Sequence, residues 1–394
     1  MQDLEKSIRE VLGYIEDRQQ RIDFVNQVFA IRRMQEDDPC WCGSEKTVSS
    51  CHWKRQDARP VSVGHQVGVR VGIFKRKKFC SATYDSANCE TKNIVGAHTI
   101  QKSAVLEAMA EEGHVGSLYQ QVGEVSDVNL KRGVTNIASV FYGFCRKHDN
   151  DLFECLEKRP VVLNAECLWA SSYRAVCHEH YQKMAAIEGT KAQRDFADNG
   201  LPLPWQLMMQ TEIRNSQAQL RLGLEFIGTI KQRFEQISAD PQGKLLGWLV
   251  TFNGPPKLAV SGTFSPFYSL DGQLIQGGEA TQHVEHFAIS TVMYEGKAAW
   301  IVACLPEQRI VVRFLEQLFS RSHREIMDIL SWAVFAWNEN VYFLLSWWDG
   351  LSETDKEALL ALAQKANCTT PYENQTFPGS VIDQHIQSVI PFPC

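Results

Sequence analysis

Residues 37–53 have the sequence DDPCWCGSEKTVSSCHW, in which four side chains are of the kind that bind soft metal ions. Cys40 and Cys42 are separated by one residue, and Cys51 is followed directly by His52. A structural zinc ion takes four nitrogen or sulfur ligands in a tetrahedron. The Gly-Ser pair after the second cysteine lets the backbone fold back, so that both pairs reach one ion. The stretch therefore predicts a small zinc-binding knuckle.

The order Cys-x-Cys-Gly-Ser, a spacer and then Cys-His resembles the SEC-C motif. That motif is found at the tail of the preprotein translocase ATPase and in many bacterial proteins. Because protein ligands fill all four positions, such a site is closed, and closed zinc sites are structural. Over residues 39–54 the resemblance implies an interaction module for protein partners or nucleic acid, without naming a reaction.

A second ligand set is spread over a longer stretch of chain. Cys80 and Cys89 lie in FCSATYDSANCETKNIVGAHTIQKS, and Cys145 and His148 lie in GFCRKHDNDLF. These four side chains predict a second structural zinc ion. The first pair is expected to form a knuckle with a hairpin and the second pair to open a helix, which together describe a treble clef within residues 55–160.

Two further residues sit at characteristic points of this finger. His98 lies on the strand expected to leave the first knuckle, and Asp149 directly follows the last ligand. The stretch 79–158 resembles the ββα-metal finger of HNH nucleases, in which a histidine on the first strand activates water and a residue after the second knuckle binds the catalytic metal. The resemblance implies that His98 is the base and that Asp149 holds Mg²⁺ or Mn²⁺.

Two other interpretations of these residues remain open. His98 could support a purely structural finger or replace one of the four zinc ligands. Asp149 could be an acidic residue in the first turn of a helix, where such residues are favoured. Residues 79–185 also resemble a group of uncharacterised bacterial proteins in which a similar finger precedes a helix with a Tyr-Arg pair, matched here by Tyr173 and Arg174.

Basic charge is concentrated between the two ligand sets, although the 394-residue chain has a net charge of −6. A solvated loop is the ordinary explanation of such a run, and a surface that faces phosphates is the functional one. The candidate nucleic-acid contacts are Lys54, Arg55, Lys75, Arg76, Lys77 and Lys78.

The remaining patterns predict an α+β protein of several domains. An amphipathic helix is expected from apolar residues spaced by threes, fours and sevens, and the alternating valines of residues 60–74 predict short strands. Near the end of the chain, strand-like segments with turns between them predict an antiparallel sheet with helices. The predicted domains are 1–38 (helix), 39–54 (SEC-C zinc motif), 55–160 (basic strip and HNH-like finger), 161–240 (two long helices) and 241–394 (α+β domain).

Two functions from different classes follow. The first is a cytoplasmic, bacterial, HNH-like endonuclease that acts on DNA or RNA, for example in antiviral defence. The second is a non-catalytic zinc-finger scaffold that binds nucleic acid, or a protein partner through the SEC-C motif or the C-terminal domain. Twelve cysteines in a chain without a signal-like start favour a reducing compartment and zinc over disulfides. No membrane association is expected, and the long helices allow a homodimer.

Overall fold

The computed structural model describes residues 2–120, 128–158, 160–277, 283–337, 340–365, 381–382 and 384–392. Helices and antiparallel strands are mixed along the chain, as predicted for the fold class. The α-helices are α1 (Gln2–Leu12), α2 (Arg18–Ile31), α3 (Val48–Cys51), α4 (Val63–Arg76), α5 (Glu107–Met109), α6 (Arg146–Leu152), α7 (Glu154–Glu157), α8 (Ala165–Gln193), α9 (Leu203–Gln236), α10 (Arg309–Phe319), α11 (His323–Trp337), α12 (Leu345–Asp349) and α13 (Glu353–Lys365).

The strands form one small and one large sheet, and all their pairings are antiparallel. They are β1 (Ile94–His98), β2 (His114–Gln120), β3 (Val128–Val134), β4 (Val140–Cys145), β5 (Leu246–Phe252), β6 (Leu258–Phe264), β7 (Phe287–Tyr294), β8 (Lys297–Cys304), β9 (Val341–Phe343) and β10 (Ile386–Pro391). Strands β1 and β4 pair with each other, and the large sheet has the order β10-β5-β8-β7-β6-β9-β2-β3.

The chain divides into two compact units, and each is discontinuous in sequence. Unit 1 comprises Met1–Arg76 and Lys183–Leu224, and unit 2 comprises Lys77–Gln182 and Glu225–Cys394. The long helices α8 and α9, which lie within the range 161–240 predicted to hold two long helices, each contribute residues to both units.

The N-terminal segment is two helices rather than the single helix predicted for residues 1–38. Helix α1 ends at Leu12, and Asp17 begins α2 by accepting a hydrogen bond from the backbone N–H of Gln20 at 2.8 Å. The first backbone N–H groups of a helix have no acceptor within that helix, and an N-cap side chain supplies one. The cap at Asp17 therefore marks the start of a new helix. The break also affects which residues face inward, because Phe24 and Val28 are buried whereas the apolar residues Ile22 and Phe29 are exposed.

Residues 60–74 were predicted as strands, but they lie largely in helix α4. Valines at alternate positions suit a strand, yet Val67 and Val71 are also four residues apart, which is a helical spacing. The Ser62 hydroxyl accepts a hydrogen bond from the backbone N–H of His65, as a helix N-cap does. Val67 and Val71 are exposed, so neither is covered by a neighbouring strand in the described structure.

The hairpin β2–β3 belongs to the large sheet of unit 2, although it lies within the insertion between the two halves of the second ligand set. Gly116 of β2 pairs with Phe343 of β9, and β9 pairs with β6. A Cβ on Gly116 would collide with the Phe343 ring, so glycine is required at this crossing. The insertion is therefore part of the large sheet through main-chain pairing.

Each unit has its own apolar core. In unit 1, the cluster around Val11 and Val28 includes Leu207 of α9. In unit 2, the main core packs α10 and α11 against the large sheet around Trp300, and a smaller cluster packs the insertion residue Leu106 near Ala259 of β6. Within the described residues, no helix combines the length and the apolar character needed to cross a membrane.

Candidate metal centres and the adjoining polar cluster

The four ligand atoms of the first predicted zinc site converge in unit 1. The sulfurs of Cys40 and Cys51 each lie 3.1 Å from Nδ1 of His52, and the sulfurs of Cys42 and Cys51 are 3.6 Å apart. All four atoms lie within 4.8 Å of one another. Ligands around a tetrahedral zinc ion are separated by about 3.3–3.8 Å. The cluster, which we call site 1, therefore fits zinc.

A tight turn presents the first pair of sulfurs. The backbone N–H of Cys40 donates to the carbonyl of Lys46, and Gly43 closes the turn by donating to the carbonyl of Cys40. Gly43 adopts a φ of 72°, a left-handed conformation that glycine tolerates without steric cost. Thr47 then caps helix α3, which carries Cys51 at its end. The Gly-Ser pair in the sequence thus forms the tight turn that was expected after Cys42.

Behind site 1 lies a fully buried carboxylate. Nε2 of His52 donates to Asp198 at 2.9 Å, and Arg55 donates to the other carboxylate oxygen at 2.8 Å. Burial raises the pKa of Asp198, but the hydrogen bond from His52 and the charge of Arg55 outweigh it and lower that pKa below its usual value. Asp198 is therefore ionised and fixes the His52 ring with Nδ1 toward the sulfurs.

Arg55 was predicted to face nucleic acid, and the structure contradicts this. Its side chain is 8% exposed and is held by Asp198 and by the carbonyl of Arg194. The other basic candidates remain accessible to different extents: Lys54, Lys75, Arg76 and Lys78 are exposed and Lys77 is half-buried. Lys78 also lies over the ring of Tyr142 at 4.9 Å.

The second predicted set converges in unit 2, as site 2. The sulfurs of Cys80 and Cys145 lie 3.1 and 3.4 Å from Nδ1 of His148, and these atoms and the sulfur of Cys89 lie within 4.8 Å of one another. Cys145 ends β4 and caps α6, so the second pair opens a helix as predicted. Behind His148, Nε2 donates to Asp85 at 3.2 Å.

In each site one thiol has a lowered pKa and the other two have raised ones. A hydrogen bond with Cys40 lowers the pKa of Cys42, while the same pairing raises the pKa of Cys40, so one thiolate of the pair is favoured. At Cys145, burial raises the pKa, but the hydrogen bond from the backbone N–H of His148 contributes to a net lowering. Zinc binds the thiolate form, so such sites release protons when they take up the metal.

His98 lies at the end of β1, and Asp149 lies in α6 directly after the site 2 residue His148. Nε2 of His98 lies 3.3 Å from the carbonyl oxygen of Thr135, to which it donates. Burial lowers the pKa of His98 and raises that of Asp149. Among the described residues, the Asp149 carboxylate has no hydrogen bond or ion pair.

The same two side chains influence both of these residues. The charges of Glu157 and Arg174 act on the pKa of His98 and on the pKa of Asp149. Glu157 accepts a 2.6 Å hydrogen bond from Nη1 of Arg174, which is 3% exposed. We call these four electrostatically linked residues the polar cluster.

Several members of these sites could not be found from local spacing. Asp198, Asp85 and Glu157 are single acidic residues among 46, and they lie 146, 63 and 17 residues from their partners His52, His148 and Arg174. The sequence pointed to Arg174 only through the resemblance to proteins with a Tyr-Arg pair on the helix after the finger.

The described part of the chain contains two Cys/His clusters that could hold zinc, one in each unit. Comparison of the chain with protein-family models, with curated proteins and with solved structures found no match. The chemistry of the sites therefore carries the functional argument.

Proposed function

We propose that this protein is a zinc-stabilised, divalent-metal-dependent nuclease of the HNH-like type. The observation that carries the proposal is the polar cluster: His98 from β1 and Asp149 from α6 share the neighbours Glu157 and Arg174. A base and a carboxylate that come from the two halves of the finger are the groups that phosphodiester hydrolysis requires. The treble-clef assignment around site 2 belongs to the same proposal.

In this mechanism, His98 accepts the proton of the attacking water. Its lowered pKa keeps the imidazole neutral near pH 7, as a base must be. The water oxygen forms a bond to phosphorus, and the bond from phosphorus to the leaving oxygen breaks. The carboxylate of Asp149, which has no partner in the described structure, suits Mg²⁺ or Mn²⁺, ions often bound by one carboxylate together with water and substrate phosphate. Such an ion would stabilise negative charge on the leaving oxygen.

The remaining features have supporting roles in the proposal. Zinc at site 2 would join the segment that carries Cys80 and Cys89 to β4 and α6, and zinc at the SEC-C-like site 1 would stabilise unit 1. Lys54, Lys75, Arg76, Lys77 and Lys78 supply positive charge for the backbone of DNA or RNA. Degradation of foreign nucleic acid in a bacterial cytoplasm is the setting in which we place this activity.

Nuclease assays of the zinc-loaded protein with Mg²⁺ or Mn²⁺ test the proposal on plasmid DNA, single-stranded DNA and RNA. We expect His98→Ala to lower the cleavage rate by about 100-fold or more, because the general base is lost. Asp149→Ala should abolish the dependence on divalent ions. His323→Ala and Asp151→Ala are matched controls, since both native side chains are exposed. If both variants of the cluster cleave at the wild-type rate, the nuclease proposal fails.

The alternative is a non-catalytic scaffold, and one observation in unit 1 favours it. A cavity of about 510 Å³ adjoins His52 and is lined by Trp41, Trp53 and Arg32 among others. Trp53 is 46% exposed, and aromatic and arginine side chains are enriched where proteins bind partners. If the wild-type protein binds single-stranded oligonucleotides or a protein partner but never cleaves, and Trp53→Ala weakens that binding, the scaffold is the better account.

A further inference from the structure

Arg174 of the polar cluster has a buried donor that the protein does not use. Its Nη1 donates to Glu157, and its guanidinium carbon lies 4.1 Å from the ring centroid of Phe153. Its Nε is buried and has no hydrogen-bond partner among the described residues. A buried N–H of a charged group without a partner is energetically costly. This donor therefore points to a ligand.

Arg174 lines a small recess together with Thr99, Gln101 and Ser290 among others. The volume of about 10 Å³ accommodates one group of the size of a water molecule or a single oxygen atom. The recess begins one residue after His98 in the chain, and Arg174 is shared with the polar cluster.

Three of the polar side chains that line the recess, those of Arg174, Thr99 and Gln101, can still donate a hydrogen bond, whereas the hydroxyls of Ser171, Ser290 and Thr291 already donate to carbonyls. The Thr99 hydroxyl accepts a hydrogen bond from Asn340 at 2.8 Å, which leaves its own proton free to donate. The Gln101 amide has no hydrogen bond to any described residue. In contrast, the Ser290 hydroxyl donates to the carbonyl of Ser171 and has no second proton to offer. A guanidinium, a hydroxyl and an amide that can all donate suit an anionic oxygen.

We propose that this recess is a phosphoryl-oxygen subsite, in which Arg174, Thr99 and Gln101 bind one non-bridging oxygen of the phosphodiester that reacts beside His98. The identity of the substrate as a phosphodiester rests on the proposed nuclease function. The preference of the recess for an anionic oxygen rests on the buried guanidinium of Arg174. Only one oxygen fits in the recess, so the rest of the phosphate lies outside it.

Binding of inorganic phosphate to the full-length, zinc-loaded protein tests the subsite without requiring cleavage. Isothermal calorimetry with phosphate, and with sodium acetate at equal ionic strength, separates recognition of a phosphoryl group from a general response to anions. We expect phosphate to bind more tightly than acetate. Gln101→Ala should weaken phosphate binding by about five- to tenfold, because one hydrogen bond to an anion is lost. Arg174→Gln should weaken it by more than tenfold.

Ser290→Ala is the matched control, since its hydroxyl cannot donate into the recess, and it should bind phosphate like the wild type. Gln101 is only half-buried, so its variant tests the subsite even if Arg174→Gln fails to fold. Wild-type affinity for phosphate in Gln101→Ala, or equal binding of phosphate and acetate, would overturn the subsite. Phosphate binding that depends on Gln101 in a protein that cleaves no nucleic acid would retain the subsite and reject the nuclease. Cleavage that depends on His98, in a protein whose phosphate binding does not depend on Gln101, would retain the nuclease and reject the subsite.

Discussion

At the scale of single residues, the contacts behind the metal ligands distinguish the two sites. Asp198 behind His52 is fully buried and also binds Arg55 and Gln210. Asp85 behind His148 is about one third exposed. A histidine ligand is held in place by the acceptor on its other ring nitrogen. Site 1 is therefore the more rigidly supported of the two.

Asp198→Asn should weaken zinc binding at site 1 by about 10- to 100-fold, because the ionised acceptor behind His52 is lost. It should also destabilise unit 1 by about 3 kcal/mol, since Arg55 is left buried without its counter-charge. Competition with a chromophoric chelator measures the first effect and urea denaturation the second. Asp195→Asn is the control, because that side chain is 59% exposed. Unchanged zinc affinity in Asp198→Asn would show that this contact does not support the metal.

The ligands were predictable and their supporting residues were not, for a physical reason. Zinc ligands occur in short pairs because a knuckle must present two sulfurs from one turn, and that spacing is visible in the sequence. Asp198 accepts a hydrogen bond from His52 although it lies 146 residues away in the chain, so only the fold brings the two together. Arg55 illustrates the converse, because a basic residue in a basic strip is buried by that same distant carboxylate.

At the scale of elements, the crossing of β2 and β9 is the most demanding contact of the insertion. Gly116→Ala should destabilise unit 2 by about 1–3 kcal/mol, because the added Cβ forces the Phe343 ring out of place. Gly133→Ala on neighbouring β3 is the control, since the nearest atom to its Cβ would be 4.0 Å away. Urea denaturation of the two variants gives the comparison. Equal loss of stability would mean that the close approach to Phe343 is not what requires glycine.

Element type was predictable where the periodicity had one interpretation and failed where it had two. The segments that became β5 to β8 have apolar runs bounded by turns, and they form strands as predicted. The valines of α4 suit both the two-residue period of a strand and the spacing of a helix. In the structure they lie in a helix that Ser62 caps. The position of β2 and β3 in the large sheet was not predictable, because β2 pairs with β9, more than 200 residues further along the chain.

At the scale of the whole molecule, each compact unit has its own apolar core and its own Cys/His cluster. Each unit is also assembled from two separate stretches of chain. A bound metal stabilises the folded state by its binding free energy, and a structural zinc ion can contribute about 10 kcal/mol or more. We therefore expect the stability of both units to depend on zinc, whatever reaction the polar cluster performs.

The most direct test of this central claim is the zinc content of the purified, full-length protein, measured by mass spectrometry of the metal. We predict two zinc ions per chain, one ion in Cys42→Ser and one in Cys145→Ser, because each variant removes a ligand from only one site. A wild-type protein with one zinc ion or none, purified without chelators, would contradict the account.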